Sequence, residues 1–175
     1  MSTYVEGREE TEMSDVQITV LPGQPLVIIE RGFDAPLDMV VQAHLEPELL
    51  TQWLGPHGTE TIVELMEVRD GGRWRYIHRD ADGDFVFHGV FHGTPSADGI
   101  VQTFQYDGAL PSLQAVTFEE REGRTIVRTT AAYLSVEERD AMVEAGMAQG
   151  VNEGYARLDE LLGRLQGGSL KTRHD

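Results

Sequence analysis

Two periodicities divide the chain. From Val16 to Leu134, apart from a helical patch near residues 36–54, apolar residues tend to recur at every second position, the period of a half-buried strand. From Ser135 to Leu165 they recur in steps of three and four, at Val143, Met147, Val151, Tyr155 or Leu158, Leu162 and Leu165, the period of a helix with one apolar stripe. Ser135 with Glu138 forms a capping box, and Gly167 and Gly168 supply a stop. About thirty residues rising ~1.5 Å each predict a rod of roughly 45 Å. A rod that long with a single apolar stripe must lie across something broad, and the strands before it supply a sheet. Within the rod, Gly146, Gly150 and Gly154 form a ladder at spacing four. Each glycine costs about 1 kcal/mol against alanine in a helix interior. The ladder either lets the helix pack closely or leaves a hollow between helix and sheet.

The strands follow in order. Val16, Ile18 and Val20 alternate with polar residues, Pro22-Gly23-Gln24-Pro25 forces a turn, and Leu26 to Phe33 is a strong strand. Pro36 sits in the first turn of a helix whose Leu37, Val40, Val41 and His44 share a face; Pro47 opens a second, PELLTQWLG, anchored by Leu50, Trp53 and Leu54 and ending at Gly55-Pro56. Further strands are predicted over residues 60–68, 73–80, 84–93, 99–107, 113–121 and 124–134, with turns at Asp70-Gly71-Gly72, Asp82-Gly83 and Glu122-Gly123. Their connections are too short for crossovers, so the sheet should be antiparallel. Along residues 73–80, Trp74, Tyr76, His78 and Asp80 face one way and Arg73, Arg75, Ile77 and Arg79 the other. The aromatic face should point inward, because the opposite register would bury three arginines. Phe104 and Phe118, on later strands, are assigned inward.

Length and charge narrow the function classes. The 175 residues suit one domain, expected over residues 16–166, with a disordered tail over 1–15 and a frayed one over 167–175. The formal charge of −16 disfavours nucleic acid and anionic membranes as partners, and no apolar run approaches the ~18 residues of a membrane span. The absence of cysteine removes disulfides and thiolate metal sites and fits a cytoplasmic location.

Candidate chemistry is sparse. His88 and His92 have a zinc-like spacing, but on a strand they stand roughly 13 Å apart, and they oppose the Phe85, Phe87 and Phe91 face; solvent-facing histidines, with no metal, are expected. His78 differs, since it shares the inward face with aromatics and has a reference pKa of about 6.5, suited to hydrogen bonding or acid–base work. Trp53 reads as a packing anchor, and Glu60 and Glu64 as a solvated strand face. There is no nucleophile elbow, zinc-protease motif or phosphate loop, so no catalytic residue and no cofactor are assigned.

The segments RGFDAP (31–36), Glu46-Pro47 with Trp53, GPHG (55–58), DGGRW (70–74), DGDFVFHG (82–89) and ERDAMVEAGMAQGVNEGYARLDELL, in that order, resemble the bacterial homologues of the C-terminal domain of the activator of the ninety-kilodalton heat-shock protein ATPase. That family belongs to the START-like, or Bet v-like, superfamily. One loop departs from the family pattern: TPSADGI (94–100) stands where a proline-proline-glutamate-arginine turn is common. The resemblance covers about residues 16–165. It implies an α+β helix-grip fold: a curved antiparallel sheet around a long C-terminal helix, with two short helices between the first and second strands. It also implies a cavity, for which Trp74, Tyr76, His78, Phe104, Phe118, Met147 and Val151 are the expected lining. The expected function is non-catalytic binding of a small apolar or aromatic molecule. The alternatives are an enzyme of the polyketide cyclase or aromatase kind, using His78, Tyr76 and Asp80, and a module that interacts with a chaperone ATPase.

Overall fold

The structure is a computed structural model that describes residues 15–171. The tail expected over residues 1–15 lies outside the described residues but for Asp15, as do residues 172–175. Eight strands form one antiparallel sheet: β1 (Gln17–Val20), β2 (Leu26–Phe33), β3 (Glu60–Met66), β4 (Arg73–Asp80), β5 (Gly83–Val90), β6 (Ile100–Tyr106), β7 (Ser112–Arg121) and β8 (Arg124–Ala132), in the spatial order β1-β2-β8-β7-β6-β5-β4-β3. Helices α1 (Leu37–Leu45) and α2 (Pro47–Leu50) follow β2 rather than the first strand, because Gln17 to Val20 itself forms a strand. Helices α3 (Val136–Glu144) and α4 (Met147–Lys171) end the chain. This is the α+β helix-grip architecture.

The alternation along β4 is realised. Trp74 and Tyr76 are buried, whereas Arg73, Arg75 and Arg79 are exposed and pair with Glu67, Glu64 and Asp84. The β5–β6 ladder is interrupted: Phe87↔Tyr106 and His88↔Gln105 pair, and Phe91↔Gln102 bridges beyond a gap. A side chain at Gly89 would begin 1.9 Å from the Thr103 carbonyl and 2.7 Å from the Trp74 ring, so the missing Cβ admits both. Glu122 and Gly123 both take positive φ, 53° and 77°, as a tight hairpin between β7 and β8 requires.

Two expected elements differ. The helix beginning at Pro47 ends at Leu50, because the next backbone bonds tighten into turns before Gly55, whose φ is 99°, and Pro56. The rod predicted over Ser135–Leu165 is two helices. Ser135 caps the first as expected, accepting from the Glu138 N–H at 3.1 Å. The break falls at Ala145–Gly146, where Gly146 has φ 94°, a conformation no helix interior contains. At the other end Gly167 and Gly168 do not stop α4, which runs through them to Lys171. Both are exposed with open space around the Cβ position, so nothing there forces the chain out of the helix.

The C-terminal half of α4 grips the sheet. Leu158, Leu161 and Leu162 pack with Phe33, Val40 and Val127 in the fully buried core. Arg31 on β2 donates to the Tyr155 carbonyl, lies 3.7 Å from Asp159, and covers the Phe33 ring at 4.6 Å. Arg157 donates to the carbonyls of Gly55 and Pro56 at 3.2 and 3.4 Å.

The glycine ladder serves three roles, which single substitutions separate. Gly146→Ala forces a side chain into a positive-φ position and should cost about 1–2 kcal/mol. Gly150→Ala enters open space within the helix and should gain about 0.5–1 kcal/mol. Gly154→Ala meets the Trp53 carbonyl at 3.4 Å and should lie between them. Urea midpoints of the three variants check this order; equal effects at Gly146 and Gly150 would contradict it.

A candidate ligand-binding cavity

N-terminal to its grip, α4 overhangs the sheet and roofs a half-open cavity of about 650 Å³. Met147, Gly150 and Val151 form its roof. The exposed Ala145 and Gly146 also line it, so the helix break sits at its rim. Strands β3 to β8 supply floor and walls, and the turn at Leu54-Gly55-Pro56 closes one side.

One wall is aromatic throughout. Along β4 the rings of Trp74 and Tyr76 stack at 5.2 Å and 18°, and Tyr76 continues to His78 at 5.0 Å. Phe87 on β5 lies 5.4 Å from both Tyr76 and Phe104, and Phe104 lies 5.6 Å from Trp74. These offset and tilted arrangements are the favoured ones for ring pairs. The indole N–H of Trp74 has no hydrogen-bond partner among the described residues. Such an unpaired buried donor costs about 1–3 kcal/mol.

The polar lining is uncharged: no aspartate, glutamate, lysine or arginine among the described residues lines the cavity. Gln102 and Gln114 face each other across β6 and β7, bonded at 3.1 Å. The Tyr133 hydroxyl lies 3.9 Å from the Met147 sulfur. Two histidines complete the set. His78 Nδ1 lies 2.9 Å from Thr61 Oγ1, which donates to the Leu54 carbonyl at 2.7 Å. The imidazole packs so tightly on Gly55 that a Cβ there would lie 2.8 Å from it. His44, on α1, has Nδ1 2.7 Å from the Val40 carbonyl and stands edge-on between Trp53 and Phe118. Burial lowers the His44 pKa to about 4 against the opposing bond to Val40; burial, then the charge of Arg157, lowers His78 to about 4. Both are neutral at pH 7. Burial alone raises the Tyr76 phenol, which also stays neutral.

Of the seven residues assigned to the cavity from sequence, Trp74, Tyr76, His78, Phe104, Met147 and Val151 line it. Phe118 does not. It faces the same side of β7 as Val116 but lies under α1, whose His44 ring covers it at 5.1 Å. Asp80 is also absent from the cavity. Its carboxylate accepts the Asp82 N–H at 2.7 Å and fastens the β4–β5 turn, so it offers no acid to a cyclase-like reaction there. Trp53 is the expected anchor, buried with its indole N–H donating to the Ala43 carbonyl at 2.9 Å. His88 lies on the outer face of the sheet, half-buried, and His92 is exposed. His44, Gln102, Gln114 and Tyr133 were not foreseen as lining. His44 carried a signal, its place on the apolar face of α1; the glutamines carried none beyond strand parity.

The fold and cavity together define a helix-grip protein with an internal, uncharged pocket. Residues 34–163 match the family model described as Activator of Hsp90 ATPase homolog 1-like protein, and the chain belongs to that family. Solved structures share the fold. A protein from Rhodobacter sphaeroides is 25% identical with a TM-score of 0.78, covering 85% of this chain and 99% of its own. One from Mycobacterium smegmatis is 22% identical with a TM-score of 0.77, covering 86% and 99%. One from Arthrobacter aurescens is 23% identical with a TM-score of 0.77, covering 85% and 91%. No curated protein matches the sequence.

The two depressed histidines make stability depend on pH. An unfolded histidine titrates near pH 6.5, and these two titrate at about 4 when folded. The unfolded chain therefore binds more protons between those values. Stability should fall as pH drops from about 6.5 to about 4, and this contribution should level off below. His44→Gln removes one share, so its urea midpoint should decline less steeply across that window. Parallel curves for wild type and variant would contradict the assignment.

Proposed function

We propose that this protein binds a small, uncharged aromatic or apolar molecule in the cavity beneath α4 without transforming it. The observation that carries the reading is the cavity itself. Its volume of about 650 Å³ falls within the ~300–1,000 Å³ typical of ligand sites, and it joins a continuous aromatic wall to a few polar groups. A planar ring can stack on the surface that Trp74, Tyr76, Phe87 and Phe104 present. A charged ligand would find no counter-ion in the lining, and burying an unpaired charge is costly. Met147 suits an adaptable roof because its side chain is flexible and polarizable. Neither a metal nor a cofactor is invoked, and a cytoplasmic setting accords with the cysteine-free sequence. The family description, which refers to an ATPase activator, supports a second reading as a module that engages a chaperone.

Native mass spectrometry of freshly purified protein should reveal a bound small molecule, and the emptied protein should bind the neutral dye N-phenyl-1-naphthylamine. Met147→Trp should weaken dye binding about tenfold by placing a ring in the hollow. It should cost less than the ~1–3 kcal/mol of an overpacked core. No dye binding by wild type, with a large fall in the urea midpoint of Met147→Trp, would overturn the binding reading. Capture of a chaperone ATPase that displaces no dye would favour the second.

A further inference from the structure

The hydrogen bonds behind the two cavity histidines fix which nitrogen of each faces the next partner. A carbonyl oxygen can only accept, so His44 Nδ1, 2.7 Å from the Val40 carbonyl, carries the proton. For His78 the same conclusion needs one more step. A threonine hydroxyl has a single hydrogen, and that of Thr61 goes to the Leu54 carbonyl at 2.7 Å. Thr61 Oγ1 therefore meets His78 Nδ1, at 2.9 Å, as an acceptor, and Nδ1 must donate. A neutral imidazole has one N–H, so Nε2 of each ring is left as a bare acceptor. No hydrogen bond to either Nε2 occurs among the described residues. The one cation acting on His78, Arg157, spends its Nη1 on the carbonyls of Gly55 and Pro56. Both histidines line the cavity.

We propose that the cavity selects an uncharged aromatic molecule carrying a hydrogen-bond donor, a phenolic hydroxyl or a ring N–H, which Nε2 of His78, of His44 or of both accepts. This rests on the binding reading above and adds the class of ligand. The two imidazoles are specificity-determining groups: each is tautomer-locked from behind, one by the helix α1 backbone and the other by the Thr61 relay to the α2–β3 turn. Gly55 belongs to the device, because any side chain there would displace the His78 ring. A ligand with an acceptor at the same place, such as an ether oxygen, would set lone pair against lone pair.

Three neutral probes on one ring system test it at neutral pH: naphthol, methoxynaphthalene and naphthalene. Wild type should bind naphthol about threefold to tenfold more tightly than methoxynaphthalene, the ratio one net hydrogen bond gives. The preference should fall toward unity in His78→Phe or in His44→Phe. Continued naphthalene binding shows that the variant is folded. Thr61→Val, which removes the acceptor for His78 Nδ1–H, should weaken the preference if His78 carries it. Nitrogen NMR of the histidine rings should show Nδ1 protonated and Nε2 bare in both residues. Equal affinity for naphthol and methoxynaphthalene in wild type would overturn the selection while leaving the binding reading intact. So would a preference that survives when both histidines are replaced together by phenylalanine, or a proton on Nε2 of both rings. Failure of all three probes to bind would overturn the binding reading itself.

Discussion

The hollow depends on α4 being fastened most firmly through its middle, away from the N-terminal turns that roof the cavity. Between Gly154 and Asp159 the helix is held from both sides. Arg31 reaches the Tyr155 carbonyl and Asp159 from β2, and Arg157 reaches back to Gly55 and Pro56. Gly154 faces the Trp53–Gly55 backbone, which a Cβ there would meet at 3.4–3.7 Å, and Tyr155 stacks on Trp53 at 6.0 Å while meeting Phe33 edge-on at 5.3 Å. Arg31 is a buried cation, but it is paired, hydrogen-bonded and seated on a ring, so its desolvation is offset where an unpaired charge would be costly. Towards Leu162 the stripe fills a close-packed core. Towards Met147 the stripe is only partly buried and roofs the cavity, and the break at Gly146 redirects the chain between α3 and α4.

Such a space cannot be a dry void. The cavity is open on one side, so water can enter it, and an empty apolar hollow of this size would be costly. The volume is therefore tolerable only when occupied, by ligand or by water. The lining has groups for both. Gln102, Gln114, Thr129, Tyr133 and the two histidines can hold water when no ligand is present, and the aromatic wall rewards its replacement by a flat apolar body. Missing side chains make the wall possible: Gly89 admits Trp74, and Gly55 admits His78. Gly89 acts by space, and Gly55 by space and by its φ of 99°; a Cβ at either would strike a ring that lines the cavity.

The sequence was most legible where a buried face and a period of two coincide. In β4 the arginines settle the register, since only one parity keeps three guanidinium groups in water, and Trp74, Tyr76 and His78 follow from it. Phe118 shows the limit of that reasoning. Parity puts it on the inner face, correctly, but not its position along the sheet relative to α1, which is a matter of tertiary packing. The helix break was hidden for a related reason. Gly146, Gly150 and Gly154 look alike at spacing four, yet one terminates a helix, one faces empty space and one packs on backbone. Local pattern carries no sign of which partner, if any, each glycine meets. Asp80 was read inward by parity, whereas the turn at its end of β4 claimed its carboxylate first.

Charge separates the two sides of the sheet more sharply than composition alone reveals. The chain has 30 acidic and 14 basic residues, yet none of them among the described residues reaches the cavity lining. On the outer face of β4 the arginines pair with acids on neighbouring strands; these exposed pairs contribute little stability but keep that face wet and the register fixed. Inside, histidine is the one titratable type whose ordinary pKa lies near neutrality, and burial, joined at His78 by the charge of Arg157, keeps both copies uncharged at pH 7. A protein of strongly acidic surface thus encloses a neutral interior whose polar directions are set by hydrogen bonds rather than by charge. Recognition in such a site must come from shape, ring stacking and the sense of each hydrogen bond, and of these only the last distinguishes ligands of equal size and flatness.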